Sequence, residues 1–288
     1  MEKVKVAAVQ MKCTRDVAQN IQRADEMVKE AAKNGAKIIL LPELFERQYF
    51  CQERRYDYYD FAKTLEENDA VRHFAKLARE EDIVLPISFY ERDKNVLYNS
   101  VAIIDADGKI LGIYRKTHIP DDHYYQEKFY FTPGNTGFKV WEAKYGKIGV
   151  GICWDQWFPE CMALLGADIL FYPTAIGSEP ILTVDSMSHW KRTMQGHAAA
   201  NIVPVVAANR IGLESVTPCE ENGNQSSELQ FYGSSFITDA QGEMVALASR
   251  DHEEILYADV DIANNLKERL SWGLFRDRRP KEYHIITD

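Results

Sequence analysis

Apolar and polar residues recur along the chain with two different periods, which predict an ordered series of strands and helices. A short apolar run near the start, VKVAAVQ, predicts a strand. The following segment, from Asp16 to Asn34, places apolar residues three or four positions apart and is followed by Gly35, which predicts an amphipathic helix with a glycine stop. A second strand and a second helix are predicted in AKIILLPE and NDAVRHFAKLAREED, with Asn68 or Asp69 as the helix cap.

Strands outnumber helices in the rest of the chain. After the strand IVLPISFYE, the runs YNSVAIIDA and KILGIYRK flank Asp107-Gly108 and predict an antiparallel hairpin. Helices are predicted over 158–166 and 185–201, and a polar surface excursion over 214–228. The remaining predicted strands are TGFKVWEA, YGKIGVGIC, ADILFYPTA, NIVPVVAAN, FYGSSFITDAQGEMVALA and EILYADVD. Parallel crossovers mixed with hairpins indicate an α/β fold of stacked sheets with helices outside.

The chain contains no internal repeat and no low-complexity linker, so that residues 1–288 are predicted to form one domain. Its tail, residues 271–288, carries charged and aromatic residues without a core period. Because disordered tails are typically poor in aromatic residues, we expect this tail to dock as a C-terminal arm, on the domain or on a partner subunit.

Composition narrows the classes of partner. The formal net charge of -10 argues against nucleic acid or an anionic membrane and is compatible with a cationic small molecule, although many soluble proteins are mildly acidic. No stretch approaches the ~20 apolar residues of a membrane span, and no secretory signal is expected. Five cysteines without CxxC spacing indicate free thiols in a reducing, cytoplasmic compartment; they are Cys13, Cys51, Cys153, Cys161 and Cys219.

One cysteine occupies a position that favours chemistry. Cys153 stands in GVGICWDQWFPE, where a glycine-punctuated strand runs into a polar turn, and Pro159 then opens a predicted helix. A side chain at a strand end stands clear of the sheet, and the unpaired N–H groups of a helix start favour a thiolate or an oxyanion. Cys153 is therefore a candidate nucleophile, although a buried structural cysteine fits the same position.

A hydrolytic cysteine needs a base for its proton or a cation for its thiolate. None of the seven histidines stands at a strand end as Cys153 does, but Glu43 follows IILLP and Lys116 follows LGIYR at two predicted strand ends. If these strands lie in facing sheets, the three ends converge on one pocket, with Glu43 as proton acceptor and Lys116 as cation. The alternative is that Glu43 and Lys116 form a structural ion pair or are solvated loop residues.

The segments LPELF, YRKTHIP and GICWDQWFPE resemble the three signature segments of the nitrilase superfamily, carbon–nitrogen hydrolases with a Glu-Lys-Cys triad. Further similar strings run nearly end to end, among them VAAVQM, YQEKFYFTPGNTGF and HWKRTMQGHAAAN. The resemblance implies a four-layer αββα sandwich and a homo-oligomer built from dimers, in which the arm would suit an intersubunit contact. It also implies that Cys153 is the nucleophile, Glu43 the general base and Lys116 the stabiliser of the tetrahedral intermediate. Glu127, which otherwise fits a surface residue on a polar loop, becomes the second glutamate beside the triad.

The residues after the nucleophile bear on the substrate. Relatives that bind N-carbamoyl amino acids carry basic residues where this chain has Gln156 and Trp157, so that an arginine clamp for a carboxylate is missing. We expect instead a carbamoylated aliphatic amine that ends in an ammonium group, bound by Tyr130 and Trp154, with Glu179 at the ammonium. The alternatives are that both aromatic residues belong to the core and that Glu179 is a solvated loop residue.

Other functions remain as alternatives. A different nitrilase-type hydrolase would act on an ω-amide, a carbamoyl-β-amino acid, another carbamoyl amino acid or a nitrile. A non-catalytic scaffold would be indicated by a lost triad residue, and none is lost. A nucleotide-binding protein would need a glycine-rich first turn, but that turn is MKCTRD. Because HExxH and CxxC spacings are missing from the sequence, no metal and no cofactor is expected.

Overall fold

The computed structural model describes residues 3–122, 124–158, 162–163, 165–178 and 185–286. The strands are β1 Val4–Lys12, β2 Ile38–Leu40, β3 Leu85–Asp93, β4 Val96–Ile104, β5 Ile110–Arg115, β6 Val140–Ala143, β7 Gly146–Val150, β8 Ile169–Pro173, β9 Gly177–Ser178, β10 Val205–Ala208, β11 Arg210–Val216, β12 Ser227–Tyr232, β13 Phe236–Thr238, β14 Met244–Leu247 and β15 Glu254–Val260. The helices are α1 Val17–Lys33, α2 Asp69–Glu81, α3 Met187–Asn201, α4 Ile262–Trp272 and α5 Leu274–Asp277.

Two six-stranded sheets form the centre of the molecule. The first has the order β15-β1-β11-β12-β9 with β2 beside β1, and the second has the order β14-β13-β10-β8-β7-β6. The three-stranded antiparallel sheet β3-β4-β5 adjoins the first, because Ile38 in β2 forms a parallel bridge with Val84 just before β3. Parallel pairs, such as β7 with β8, and antiparallel pairs occur together, as the pattern predicted.

The alternation of side chains along β1 shows how the layers stack. Ala7, Val9 and Met11 pack in one core cluster with apolar residues of α1 and α2, whereas Val6 and Ala8 pack in a second cluster with the inner face of the other sheet. A third cluster joins the outer face of that sheet to α3. The order of layers is therefore helix, sheet, sheet and helix, which confirms the four-layer αββα sandwich.

The helix and hairpin signals of the first half of the chain are confirmed. Asp16 caps α1 by accepting a hydrogen bond of 3.0 Å from the Gln19 N–H group. Asn68, rather than Asp69, caps α2, because its Oδ1 accepts the Val71 N–H group at 2.9 Å. Gly108 adopts a left-handed φ of 82° in the turn between β4 and β5, a conformation that glycine adopts without strain.

The polar segment 214–228 is shorter than predicted, and this part of the prediction is wrong. β11 and β12 pair only at its two ends, over residues 214–216 and 227–228, so that the excursion is confined to residues 217–226. The polar residues at its ends are buried with partners: Glu214 pairs with Arg210, and the Ser227 hydroxyl donates to Gln52. Composition indicated exposure, but partnered polar groups can be buried.

One hairpin, one strand boundary and one helix differ from the predicted pattern or lie outside the described residues. β3 and β4 form a hairpin at Lys94-Asn95 that the pattern did not indicate, and the strand predicted over 136–143 begins at Val140. The predicted helix 158–166 lies largely outside the described residues, of which 162 and 163 are helical. No helix in the described ranges is long and apolar enough to cross a membrane.

Candidate active site

Glu43 lies three residues beyond the end of β2 and is completely buried. Its backbone N–H group donates to the Thr174 carbonyl oxygen, 3.3 Å away, just beyond the end of β8 in the other sheet. Its Oε1 accepts hydrogen bonds from Lys116 Nζ at 2.9 Å and from Asn99 Nδ2 at 2.7 Å. Its Oε2 is buried without a hydrogen-bond partner in the part of the chain that the structure describes. One oxygen is thus anchored, and the other is available to accept a proton.

Lys116 follows β5 directly and is also completely buried. Its N–H group donates to the Asn99 carbonyl oxygen at 2.8 Å, and its Nζ bridges Glu43 and Glu127 Oε2 at 2.9 and 2.7 Å. Burial by itself lowers the pKa of Lys116, but the charges of Glu127 and Glu43 outweigh burial and raise that pKa well above its usual value. The ammonium group therefore stays charged inside the protein.

Glu127 opens a short 3-10 turn, Glu127–Phe129, and is fully buried rather than exposed on a polar loop. Its Oε1 accepts the Tyr49 hydroxyl at 2.5 Å. Burial raises the pKa of Glu127 to about 7, with Glu43 adding to the rise, while Lys116 and the Tyr49 hydroxyl oppose it. The two glutamates and the lysine therefore form one buried charged cluster, and Glu127 titrates near neutral pH.

Cys153 lies three residues beyond β7, at the start of the 3-10 turn Cys153–Trp157, and it is only 6% exposed. Its φ of 40° is left-handed, a strained conformation for a residue with a β-carbon. The Sγ atom donates to the Ala175 carbonyl oxygen at 3.7 Å, beside the Thr174 carbonyl that holds Glu43. The ends of β2, β5, β7 and β8 therefore converge, as the sequence predicted for three of them.

The electrostatics of the thiol call for a base. Burial raises the pKa of Cys153 well above its usual value, and Glu43 and Glu127 add to this effect, whereas Lys116 lowers it. The resting thiol is therefore protonated. Glu43 Oε2, which has no hydrogen-bond partner within the described ranges, is a candidate proton acceptor for such a thiol.

Asp155, which the sequence did not single out, links the turn that carries Cys153 to the segment that carries Lys116. Its buried carboxylate accepts the Ile152 N–H group at 3.0 Å and the Tyr114 hydroxyl at 2.7 Å. It also accepts the His118 N–H group at 3.0 Å and contacts His118 Nδ1 at 2.7 Å. Tyr114 and His118 lie two residues before and after Lys116. Local sequence did not indicate this link, because Tyr114 and His118 lie in a distant segment of the chain.

The three predicted substrate residues have different surroundings. Tyr130 is buried among aromatic side chains, and its hydroxyl donates to the Glu53 carbonyl at 2.6 Å and accepts the Arg55 N–H group at 3.0 Å. These bonds favour the alternative, a core aromatic that holds the 53–55 backbone. Trp154 is 43% exposed next to Cys153 and contacts Trp157 edge to face. Glu179 lies outside the described residues.

Gln156 does not lie where an arginine clamp for a substrate carboxylate would lie. It is completely buried, and its Oε1 accepts the Trp190 indole N–H group from α3 at 2.6 Å. Trp157 is partly buried and packs against His189. The Gln156 side chain is therefore turned toward α3 and is not part of an open mouth, so that its identity carries less weight for the substrate than the sequence indicated.

The geometry and the comparisons agree on the class of protein. The chain belongs to the carbon-nitrogen hydrolase family, whose model matches residues 5–265, and it is an enzyme of that class. A crystal structure of a carbon-nitrogen hydrolase from Helicobacter pylori G27 superimposes with a TM-score of 0.91, at 36% identity and 99% coverage of both chains. The predicted resemblance to the nitrilase superfamily is confirmed.

Two curated relatives are similar to the chain over nearly its whole length. The N-carbamoylputrescine amidase of Oryza sativa subsp. japonica is 54% identical over 288 residues, which cover 99% of this chain and 94% of the rice protein. The citrullinase of Francisella tularensis subsp. tularensis is 54% identical over 291 residues, which cover 100% of this chain and 99% of the bacterial protein.

Proposed function

We propose that this enzyme hydrolyses N-carbamoylputrescine to putrescine, ammonia and carbon dioxide, a step of polyamine biosynthesis. The observation that carries the proposal is the buried cluster of Glu43, Lys116 and Glu127 beside the Cys153 thiol, which suits attack on an uncharged carbamoyl carbon. The 54% identity to the rice N-carbamoylputrescine amidase supports this substrate.

In the first half-reaction, Glu43 accepts the thiol proton through Oε2, which has no hydrogen-bond partner among the described residues, and Sγ of Cys153 forms a bond to the carbamoyl carbon. The oxyanion of the tetrahedral intermediate is held by the Lys116 ammonium and the Trp154 N–H group. Glu43 returns the proton to the leaving nitrogen, the carbon–nitrogen bond breaks, and ammonia departs. The putrescine nitrogen stays attached to the carbonyl, which is now bonded to sulfur.

In the second half-reaction, Glu43 takes a proton from water, and the hydroxide attacks the carbonyl carbon of this thioester-type intermediate. The carbon–sulfur bond breaks, and the thiol regains a proton. The released carbamic acid decomposes to putrescine and carbon dioxide without help from the protein. One water molecule is consumed in the hydrolysis, and no metal or redox step is needed.

Lys116 and Glu127 act as a unit in this scheme. A lysine buried without counter-charges would lose its proton, whereas Glu43 and Glu127 keep it charged and hold Nζ in place for the oxyanion. Asn99 and Lys116 both donate to Glu43 Oε1, so that Oε2 is the oxygen that carries the proton in this scheme.

The distal ammonium group of the substrate requires a carboxylate, and we propose Glu179 for this role and the exposed face of Trp154 for the methylene chain. Glu179→Gln should raise KM for N-carbamoylputrescine much more than it lowers kcat. An unchanged KM would remove Glu179 from the binding site.

Citrulline is the second candidate substrate, because the Francisella citrullinase is as similar to this chain as the rice enzyme is. Its carbamoyl end is chemically the same, but its other end carries a carboxylate as well as an ammonium group. Ammonia release from N-carbamoylputrescine, citrulline, carbamoyl-β-alanine and a carbamoyl D-amino acid separates the candidates. Turnover of citrulline without turnover of N-carbamoylputrescine would contradict the first proposal.

We also propose a cytoplasmic homo-oligomer built from dimers, in which residues 271–288 form an intersubunit arm. The free thiols of Cys13, Cys51, Cys153 and Cys219 are consistent with a reducing compartment. Phe275 packs on the third core cluster, which ties the start of the arm to its own domain. Leu270 and Trp272, 71% and 69% exposed, are the apolar side chains that a second subunit would cover.

A further inference from the structure

Residues 43–49 bring two groups of the site together on a turn outside the regular strands and helices. Glu43 opens this turn, and Tyr49, which bonds Glu127, closes it. Leu44, next to Glu43, has a left-handed φ of 47°, which an isolated chain would rarely adopt. Something outside the turn must therefore hold its backbone in place.

Arg210, at the start of β11, binds three backbone carbonyl oxygens of this turn. Its Nη2 donates to the carbonyl oxygens of Glu43 at 2.6 Å and Leu44 at 3.0 Å. Its Nη1 donates to the Arg47 carbonyl at 3.1 Å and to Glu214 Oε1 at 3.0 Å. The guanidinium group is completely buried, so that these bonds are shielded from competing water.

Glu214 completes the link at the other end of the turn. Its second oxygen, Oε2, accepts the Tyr49 N–H group at 2.6 Å, and its side chain is only 3% exposed. One ion pair on β11 therefore binds the backbone of residues 43, 44, 47 and 49 at the same time. A planar fork of donors is needed to reach several carbonyls at once, which a lysine does not provide.

We propose that the Arg210–Glu214 ion pair is a positioning device for hydrolysis, which sets the Glu43 carboxylate and the Tyr49 hydroxyl in their working geometry. The proposal rests on the proposed function only in taking Glu43 and Glu127 as groups of the reaction. Buried ion pairs seldom add net stability over well-packed apolar residues, because both charges lose their hydration. The bonds of this pair go chiefly to the turn that carries the site, which favours a geometric purpose.

Arg269 provides a matched control within the same chain. It is also a buried arginine that donates to two backbone carbonyls, those of Ile202 at 3.0 Å and Ala167 at 2.9 Å. Neither carbonyl belongs to the segments that carry Glu43, Lys116, Glu127 or Cys153. Arg269→Lys therefore disturbs a comparable structural contact away from the site.

The test compares Glu214→Gln, Arg210→Lys and Arg269→Lys with the wild type in ammonia release from N-carbamoylputrescine over pH 5.5–9.5. In Glu214→Gln and Arg210→Lys we expect kcat to fall about 10- to 100-fold with KM within threefold, since small displacements of reacting groups cost this much. The acid limb of kcat/KM should also move to higher pH, in the direction expected for Tyr49→Phe, because a displaced Tyr49 no longer stabilises ionised Glu127. Arg269→Lys should show neither change.

A double variant, Arg210→Met with Glu214→Leu, guards against misfolding, because apolar side chains can replace both charges without leaving one unpaired. We expect it to fold and still to have the lowered kcat. A folded variant of either residue with wild-type kcat and an unchanged acid limb would overturn the proposal. The rate at which iodoacetamide alkylates Cys153 tests the same geometry without substrate, and we expect it to fall in the variants. If the wild type fails to turn over N-carbamoylputrescine, the proposed function fails, and the alkylation rates still decide whether the ion pair positions the site.

Discussion

The replacement Asp155→Asn tests whether a buried carboxylate couples the nucleophile to the oxyanion cation. In the wild type, both oxygens of Asp155 are used: Oδ2 accepts from Ile152 and Tyr114, and Oδ1 contacts the N–H group and Nδ1 of His118. Asparagine has the same shape but presents one oxygen and one NH2 group. If its oxygen stays toward Ile152, its NH2 group faces the His118 N–H group, and two donors oppose each other.

The expected cost follows from these contacts. One buried N–H group is left unpaired, and the retained bonds change from a charged to a neutral acceptor, which together should lower the free energy of unfolding by about 3–4 kcal/mol. The 151–155 backbone then relaxes relative to the 114–118 segment, so that Sγ of Cys153 and Nζ of Lys116 are no longer held together. We expect kcat to fall about 100-fold, equivalent to ~2.7 kcal/mol in the barrier, with KM changed less than threefold.

The assay is ammonia release at saturating N-carbamoylputrescine, paired with urea unfolding followed by tryptophan fluorescence. Asp105→Asn is the control, because Asp105 also accepts two backbone N–H groups, those of Ala106 and Lys144, in a turn on the far side of β5 from Lys116. It should lose stability and keep the wild-type kcat. Asp155 does not couple Cys153 to Lys116 if folded Asp155→Asn retains the wild-type kcat, or if Asp105→Asn lowers kcat equally.

Three further predictions concern the nucleophile, the second glutamate and the arm. Cys153→Ala should abolish ammonia release while the urea concentration at the midpoint of unfolding stays close to that of the wild type. Retained turnover would exclude the covalent route. Because the pKa of Glu127 lies at about 7, Glu127 gains a proton as the pH falls through that value, so that kcat/KM should decline below pH 7. Glu127→Gln should have much lower but pH-independent activity in this range, and a persistent limb near pH 7 would assign it to another group. Deletion of residues 271–288 should reduce the mass measured by light scattering after size exclusion, and an unchanged oligomer would refute the arm.

Much of the architecture follows from local physics. The periods of two and of 3.6 residues located α1, α2 and the central strands, and Asn68 is one of the two residues that the sequence offered as the cap of α2. The strand-end placement of Glu43, Lys116 and Cys153 was likewise enough to nominate them as one group. Polarity predicted exposure wrongly where a polar side chain has a buried partner, as Glu214 has in Arg210.

The residues that hold the site from distant parts of the chain could not be predicted from local sequence. Tyr49 and Asn99 lie in no motif, Asp155 was not singled out within GICWDQWFPE, and each forms a hydrogen bond to a residue at least 41 positions away. The burial of Gln156 against α3 is of the same kind, because it depends on which face of the turn the helix covers. Such contacts exist only after the two sheets have stacked.

The sequence by itself therefore determined most of the elements and the family and nominated the three candidate reactive side chains, since hydrophobic period, capping and residue chemistry are local properties. Tertiary structure alone decided which oxygen of Glu43 is anchored by Lys116 and Asn99, how Lys116 is shared between two glutamates, and what holds the turns that carry them. The physical reason is that hydrogen bonding and burial set the protonation and orientation of these groups, and both depend on neighbours that the fold brings together from distant parts of the chain.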